Sequence, residues 1–565
     1  MKYNVIGDND TRNVKQCWFK NRGITDIDTY INLDDSCLLP FNLLDNMDEA
    51  VELLLKHVNN DNSYITIVVD CDCDGYTSAA MLYNYLSNTY PEITLDYVMH
   101  TGKQHGLSED ITIPKQTTLI ILPDGGTNDT EQCKSYQDRG IDILILDHHI
   151  KDKDNPYAVI VNNQCSNEYT NKELCGAGVV YKFLQALDEL EWNENADDYL
   201  DLVALGNIGD LMDVKSYETK RLIDKGLSSI RNKSISAMVK AQEYSMHNHI
   251  NIHNFAFYLA PLINAMCRCG TMEDKDLVFR ALIETDEEFD YKKRGQAETV
   301  KESIYDRAAR LCKNTKGRQD KAVKSALPKL KEWIEDKEVY NHPIMFVKAD
   351  DLSSSFTGLA AIKLADYYNR PCLVLRKRDD GYYGGSARNN DNSPFNHLKQ
   401  TMIDTQMFEF CQGHEGAFGF AIPSTNIADT IKMCKEQFSN LDFDTLNVDF
   451  KIDFDDFDIR FIRDIDNLAD YYGTGLKEPK VIVTNIILQK NQGALMGEDN
   501  STWKFITDDN IAFIKFGNTE DDKVRQWFES DSKTEMMITA YCEIGFNEYK
   551  GILTPQAKIK DYEVI

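Results

Sequence analysis

The stretch Tyr64-Ile-Thr-Ile-Val-Val-Asp-Cys-Asp-Cys-Asp-Gly75 joins an apolar run to three alternating aspartates and a glycine. A short apolar run that is rich in β-branched residues and ends at a turn signal is typical of a buried parallel strand. Two later runs end in the same way: Thr118-Leu-Ile-Ile-Leu-Pro leads into Asp124, and Ile141-Asp-Ile-Leu-Ile-Leu leads into Asp147. These segments predict parallel strands that each end in a carboxylate.

The segments between these runs predict the crossovers of a doubly wound sheet. A helix-like stretch covers residues 77–86, and a further strand is expected near residues 93–98, which is the spacing of βαβ units. In such sheets, ligands bind beyond the carboxyl ends of the strands. We therefore expect the strand-end carboxylates to converge.

The remainder of the chain changes character twice. Residues 178–335 are mostly helix-like, with a long basic helix expected at Phe289 to Leu311, and a second α/β unit runs from Pro343 to about Pro423. After about residue 440 the pattern alternates as in a small β-rich domain such as a barrel. The predicted domains are 1–285 (catalytic, with an N-terminal extension and a helical part), 286–335 (basic connecting helix), 336–430 (substrate-binding) and 431–565 (nucleic-acid-binding).

Composition limits the class of protein. The 565 residues, 42% hydrophobic and 27% charged, are typical of a multidomain globular chain. No apolar run is long enough to span a bilayer and the first residues do not resemble an export signal, so we expect a soluble cytoplasmic protein without membrane contact. The spacing of the 14 cysteines predicts buried thiols and argues against zinc.

Charge is unevenly distributed. A net charge of -30 argues against nucleic-acid binding through the whole surface, since phosphate contacts need local positive potential. Residues 292–331 nevertheless hold 13 Lys or Arg against 4 Asp or Glu, a local charge of +9. This basic segment is either a solvated helical face or a nucleic-acid contact.

The aspartates and histidines indicate a metal site. Oxygen ligands favour Mg²⁺ or Mn²⁺, and imidazole added to carboxylate favours Mn²⁺. So many carboxylates at one sheet edge would repel one another unless a cation neutralised them. Two bound cations would support hydrolysis of a phosphodiester or a phosphoanhydride. The candidates are Asp70, Asp72, Asp74, Asp124, the segment Asp147-His148-His149, and Asp210.

The order of these motifs resembles that of the DHH superfamily: D-x-D-x-D-G, a strand-end Asp, D-H-H and a later G-x-x-x-D. Tyr383-Gly-Gly-Ser-Ala-Arg-Asn389 and Gln412-Gly-His-Glu-Gly-Ala-Phe-Gly419 resemble the nucleotide-binding motifs of its second domain. Pro261-Leu-Ile-Asn-Ala-Met-Cys-Arg268 is similar to a segment of the RecJ exonucleases, and Gly473-Thr-Gly-Leu-Lys-Glu-Pro479 is similar to their OB-fold domain.

The resemblance to RecJ implies a function. It implies processive degradation of single-stranded DNA from the 5′ end to mononucleotides, in recombination, repair or replication, with two Mn²⁺ ions or, alternatively, Mg²⁺. Single-stranded DNA and single-strand-binding, replication or recombination proteins are the implied partners. Its implied metal ligands are Asp70, Asp72, Asp74, Asp124, His148 and Asp210; its catalytic residues are His149 and Asp147; its substrate-binding residues are Arg268, Asn264, Ser386, Arg388, Gly413, His414 and His100.

Two other functions stay open. A phosphodiesterase for short oligonucleotides or cyclic dinucleotides would need the same metals, and a RecJ-like replication scaffold without activity would have lost metal ligands that are all present here. The aromatic residues Trp503, Phe505 and Phe513 either offer stacking faces to bases or fill the C-terminal domain. His100 stands where the family usually has an arginine, which weakens one expected phosphate contact.

Overall fold

The computed structural model describes residues 1–102, 104–108, 111–293, 295, 298–390, 392–497, 499–530, 533–549 and 551–565. Its strands are β1 (Lys2–Val5), β2 (Tyr64–Val69), β3 (Thr94–Met99), β4 (Leu119–Pro123), β5 (Asp142–Asp147), β6 (Val159–Asn162), β7 (Glu288–Tyr291), β8 (Val300–Ser303), β9 (Met345–Lys348), β10 (Cys372–Lys377), β11 (Tyr382–Arg388), β12 (Phe410–His414), β13 (Ala417–Pro423), β14 (Thr445–Val448), β15 (Phe450–Asp453), β16 (Val481–Gln489), β17 (Gly493–Met496), β18 (Thr502–Ile506), β19 (Ala512–Lys515), β20 (Glu535–Tyr549) and β21 (Ile552–Val564). Its helices are α1 (Val14–Asn21), α2 (Ile27–Ile31), α3 (Met47–Val58), α4 (Cys73–Thr89), α5 (Thr130–Gln137), α6 (Gly176–Glu191), α7 (Leu200–Gly209), α8 (Tyr217–Ser228), α9 (Lys233–Gln242), α10 (Ile252–Asn254), α11 (Ala260–Cys269), α12 (Met272–Leu282), α13 (Ile304–Asp336), α14 (Thr357–Tyr368), α15 (Leu398–Asp404), α16 (Ile427–Phe438), α17 (Ile459–Asp466) and α18 (Lys523–Glu529).

The chain divides into two compact units. The parallel-sheet unit comprises Asp28–Gln319 and Asp470–Lys477, and the two-sheet unit comprises Met1–Ile27, Asp320–Ala469 and Glu478–Ile565. Helix α13 begins in the first unit and ends in the second.

The parallel-sheet unit has the predicted doubly wound sheet. Its strand order is β3-β2-β4-β5-β6, and every neighbouring pair is parallel. The chain passes from β2 to β3 on one side and then to β4 on the other, so the topological switch point lies between β2 and β4. A crevice for a ligand is expected beyond the carboxyl ends of these two strands, where the aspartate motif and Asp124 lie.

The two-sheet unit holds the second α/β sheet and the β-rich C-terminal sheet, as predicted. The first has the strand order β12-β13-β11-β10-β9, and the second has the order β15-β16-β20-β21-β19-β18-β17. Trp503, Phe505 and Phe513 are buried in the C-terminal part. Of the two alternatives for these residues, the structure shows that they fill the domain, because Trp503 and Phe505 are the buried alternate residues of β18 and Phe513 is buried on β19.

Two further expectations differ from the structure. The helix expected at residues 289–311 begins only at Ile304; β7 and β8 form a hairpin before it, while residues 294, 296 and 297 lie outside the described residues. The residues of β7 alternate between exposed and partly buried, which is typical of a strand with one face against the protein. On that face the Phe289 ring packs under the guanidinium of Arg307, 4.4 Å from the ring centroid. The first residues, predicted as an extension of the domain at 1–285, form β1, which pairs with β14 in the two-sheet unit.

The predicted boundaries at 285, 335 and 430 stay predictions.

Among the described residues, no helix combines the length and the apolar character that crossing a membrane requires.

Candidate metal centre

The aspartate motif, residues 70–75, begins directly after β2 and ends in the first turn of α4, and hydrogen bonds hold two of its side chains. Asp72 caps α4, because its Oδ1 accepts the N–H of Gly75 at 3.0 Å. Asp74 is buried and accepts from the first residues of α6: the N–H of Gly176 at 2.6 Å and the N–H of Ala177 at 2.9 Å. The positive end of α6 therefore holds the Asp74 carboxylate at the sheet edge.

His148 is the centre of the predicted cluster. Its Nε2 lies 3.2 Å from Asp124 Oδ1, 3.4 Å from Asp210 Oδ2 and 3.9 Å from Asp74 Oδ2. The three carboxylates come from the end of β4, the end of α7 and the first turn of α4. The fold thus brings together residues that are up to 136 positions apart in the sequence, from Asp74 to Asp210.

Asp124 has a strained backbone, with φ at 70°. Its N–H donates to the carbonyl of Leu146 at 2.8 Å, which continues the pairing of β4 with β5 past the strand end. Left-handed backbone is uncommon outside glycine and costs about 1–3 kcal/mol when the surroundings enforce it. Such strain clusters at functional sites, and here it directs a carboxylate toward His148.

Asp147 holds the second histidine of the motif. Its Oδ1 lies 2.8 Å from His149 Nδ1 and also accepts the N–H of His148 at 2.7 Å. Its Oδ2 accepts the N–H of Thr127 at 3.0 Å. The Asp147 carboxylate is therefore used in fixing the loop after β5, and Nε2 is the ring nitrogen of His149 that is not bound to it.

Burial and charge shift several pKa values. Burial and then the charges of Asp74, Asp72 and Asp70 raise the pKa of Asp124 well above its ordinary value. Burial works to raise the pKa of Asp147, but the charge and hydrogen bond of His149 outweigh it and lower that pKa. Burial works to lower the pKa of His149, but Asp147 raises it to about 10. For Asp72, burial and then Asp70 raise the pKa.

The donors fit a divalent cation. Asp74, His148 and Asp210 form one group, and Asp124, His148 and His149 form another; the ligand atoms within each group lie within 4.8 Å of one another. Asp124 Oδ1 is buried and, within the part of the chain that the structure describes, accepts no hydrogen bond of good geometry. A buried carboxylate oxygen without a donor needs a compensating positive charge. Carboxylate oxygens with imidazole nitrogen suit Mn²⁺, with Mg²⁺ as the alternative.

Asp70 has a different environment from the other predicted ligands. Its Oδ2 lies 2.6 Å from His105 Nδ1, and its Oδ1 lies 3.7 Å from His100 Nε2. The charge of Asp70 raises the pKa of His105 to about 9. Asp70 and Asp72 both belong to neither ligand group above. His105 is a site residue that the sequence does not predict, because a lone loop histidine carries no pattern.

Of the predicted substrate contacts near this site, His100 is buried inside the protein, whereas Asn264 is partly exposed. The His100 side chain is 0% exposed and lies against Asp70, which is not the exposure that a phosphate contact needs. Asn264 Oδ1 accepts the N–H of Cys73 at 3.0 Å, so α11 is tied to the aspartate motif. Arg268 lies one turn further along α11 and is partly exposed.

The predicted substrate-binding residues of the two-sheet unit share one sheet. Arg388 on β11 and His414 on β12 both pair with Ala417, from its two sides, so they share a face of the sheet. Ser386 Oγ lies 2.8 Å from Thr357 Oγ1, at the start of α14. Gly413 has φ at 123°, a backbone conformation that glycine adopts readily.

Comparison with known proteins defines the class. The family model described as "DHH family, N-terminal domain" matches residues 64–207, and "RecJ OB domain" matches residues 448–561. Parallel sheet, strand-end cluster and C-terminal sheet together define an α/β protein of the DHH class.

Similar proteins narrow this class. The putative SPbeta prophage-derived single-strand DNA-specific exonuclease YorK of Bacillus subtilis is 36% identical over 100% of this chain and 98% of its own length. The single-stranded-DNA-specific exonuclease RecJ of the same organism is 25% identical over 92% of this chain and 63% of its length. The crystal structure of RecJ in complex with Mn²⁺ from Thermus thermophilus matches with a TM-score of 0.74 at 16% identity, over 100% of this chain and 79% of that chain. The chain belongs to the RecJ-like members of the DHH family.

Proposed function

We propose that this protein is a divalent-metal-dependent phosphodiesterase that degrades single-stranded DNA from its 5′ end to mononucleotides, in recombination, repair or replication. The observation that carries the proposal is the position of His148 Nε2, within 3.9 Å of carboxylates from three separate elements. The names of the relatives support the substrate, because the 36% identical protein is described as a single-strand DNA-specific exonuclease.

Two groups of residues would hold the cations. Asp74 and Asp210 would hold one cation and Asp124 would hold the other, and His148 lies close enough to all three carboxylates to bind either cation. Bound divalent cations would polarise the phosphoryl group, lower the pKa of the attacking water and stabilise the departing oxygen. Mn²⁺ suits the mixed imidazole and carboxylate set, with Mg²⁺ as the alternative.

The residues around the cluster would position the reacting groups. Asp147 fixes the ring of His149 through Nδ1, at 2.8 Å, so Nε2 would be the atom that donates a proton to the leaving oxygen. The buried carboxylates Asp74 and Asp124 are held before substrate arrives, by the N-terminus of α6 and by strained backbone. Such preorganisation lowers the reorganisation that the reaction needs.

The two-sheet unit would bind the strand. Arg388 and His414 share a face of the mixed sheet and would contact phosphates, with Arg388 offering a forked guanidinium. The OB-domain match at residues 448–561 supports contacts with single-stranded DNA in the same unit.

The test uses long single strands labelled at either end, incubated with Mn²⁺ and with native protein or Asp124→Asn. We expect early release of labelled mononucleotide from the 5′ label only, none with Asp124→Asn, and no digestion of a duplex of the same sequence. An unlabelled competitor strand added after the start measures processivity. Hydrolysis of dinucleotides without digestion of long strands would contradict the proposal and favour a short-substrate phosphodiesterase.

A further inference from the structure

The helix that carries Asn264 begins with an irregular turn. Residues Ile252–Asn254 form α10, residues Phe255–Leu259 form a π turn, and Ala260–Cys269 form α11, without a break between them. A π turn inside an α-helix is rare and is found frequently at functional sites, because it changes where the neighbouring side chains lie around the helix.

This turn carries an exposed aromatic ring that is held in place. The Phe257 side chain is 65% exposed. Its ring is stacked on His253, with the centroids 4.5 Å apart and an interplanar angle of 29°. His253 is in turn in edge contact with the buried ring of Tyr472, at 6.4 Å. The exposed ring therefore stands on a fixed base, whereas an isolated surface phenylalanine would move freely.

An exposed stripe leads from this ring to a residue that is bound to the aspartate motif. Phe257, Pro261, Asn264 and Arg268 are exposed or partly exposed, at spacings of four, three and four residues, whereas Leu262, Ile263, Ala265, Met266 and Cys267 are buried. These spacings place the four residues on one face of a helix. Asn264 is bound to the N–H of Cys73 inside the aspartate motif. Seven residues of helix span about 10 Å.

We propose that Phe257, supported by His253, is a base-stacking contact for the single strand, about three stacked nucleotides, at 3.4 Å each, from Asn264, which is bound to the aspartate motif. This inference rests on the proposed function and adds a contact to nucleobases beside the contacts to phosphates. Aromatic rings bind single strands because every base has a face that stacks, whatever the sequence. A nucleobase is the occupant, because the same stripe continues to Arg268 and to the predicted site of phosphate hydrolysis.

The experiment compares two probes of equal length: a fluorescent thymidine homopolymer and an abasic strand with the same phosphates. Binding is measured by anisotropy with Ca²⁺ in place of Mn²⁺. We expect Phe257→Ala and Phe257→Leu to weaken binding of the thymidine strand about 5- to 150-fold and to leave the abasic strand unchanged. Phe257→Trp keeps the affinity, and its fluorescence is quenched by the thymidine strand. Trp192→Ala, which removes a side chain that is 95% exposed, is the control and leaves the affinity for both strands unchanged.

The outcomes separate this inference from the proposed function. If the native protein digests the thymidine strand and Phe257→Ala binds that strand with native affinity, the stacking contact is overturned and the proposed function is not. If Phe257→Ala loses affinity for both strands equally, the stacking contact is also overturned, since a ring cannot stack on a strand without bases. Native protein that neither binds nor digests the thymidine strand overturns the proposed function and this inference with it.

Discussion

His148 Nε2 lies 3.2 Å from Asp124 Oδ1, across the ends of the neighbouring parallel strands β5 and β4. The carboxylate is buried and has left-handed backbone, and the imidazole is buried beside two further carboxylates. The negative charges of these carboxylates repel one another, and a bound cation would neutralise them.

Removing divalent cations should destabilise the parallel-sheet unit. Because ions that bind only the folded chain stabilise it by mass action, a Mn²⁺ concentration 100 times its Kd should add about 2.7 kcal/mol. We expect a lower Tm after chelation and recovery on adding Mn²⁺, measured by calorimetry. The Tm of Asp124→Asn should respond little to either treatment. A native Tm that does not depend on the metal would contradict the prediction.

Gly176 should not tolerate a side chain. A Cβ at this position would lie 2.5 Å from Asp124 Cβ and 2.7 Å from Asp124 Oδ1. We expect Gly176→Ala to cost about 1–3 kcal/mol of stability, as overpacking does, and to weaken Mn²⁺ binding. Gly317→Ala is the matched control: nothing lies within 4 Å of its Cβ, and alanine in the middle of α13 should stabilise by up to about 1 kcal/mol. Native Mn²⁺ affinity in Gly176→Ala would be the contrary result.

His149 should act on the chemical step more than on binding of the strand. Since Asp147 fixes its ring at 2.8 Å, we expect His149→Gln to lower the single-turnover rate about 100- to 10,000-fold and to leave the Kd for single-stranded DNA unchanged. Quenched-flow kinetics and anisotropy measure the two quantities. His249→Gln, at an exposed position, should match the native protein in both. A raised Kd with a native single-turnover rate would show a role in binding instead.

Arg388 should contribute one phosphate contact. We expect Arg388→Ala to weaken binding of single strands of any sequence and to reduce the slope of log K against log salt by about one. Affinity is measured by anisotropy over a series of salt concentrations. Arg378→Ala removes an exposed arginine that forms an ion pair with Asp380, and it should leave the slope unchanged. An unchanged slope in Arg388→Ala would exclude the contact.

Local pattern was sufficient for the elements that carry the site. Each apolar run that ends in Asp predicts a strand, since buried parallel strands need continuous apolar residues, and the helix expected at residues 77–86 lies within α4. The convergence of Asp74 and Asp124 on His148 follows from the rule that ligands bind at the carboxyl ends of parallel strands. Asp210 follows helix α7, and only the resemblance to the DHH motifs predicts its place in the site.

Long-range contacts could not be predicted in the same way. The hydrogen bond from Gly176 to Asp74 joins residues 102 positions apart, and nothing local in the sequence indicates it. The basic residues around Phe289 predict a helix, yet Phe289 lies in a strand and pairs with Glu302 in the β7–β8 hairpin. Its ring packs under the guanidinium of Arg307, a contact that the local sequence does not indicate. Whether Trp503 stacks on bases or fills a core depends on which face of β18 is buried, and alternation alone gives two equivalent answers.

Binding of Mn²⁺ to metal-free protein, followed by the electron paramagnetic resonance of the free ion, tests most directly whether Asp124 and His148 belong to a metal centre. We predict tight binding of two ions by the native chain, loss of tight binding in Asp124→Asn, and native binding in Asp152→Asn, which changes an exposed aspartate three residues after His149. No tight binding by the native chain, or native binding by Asp124→Asn, would contradict a metal centre at this position.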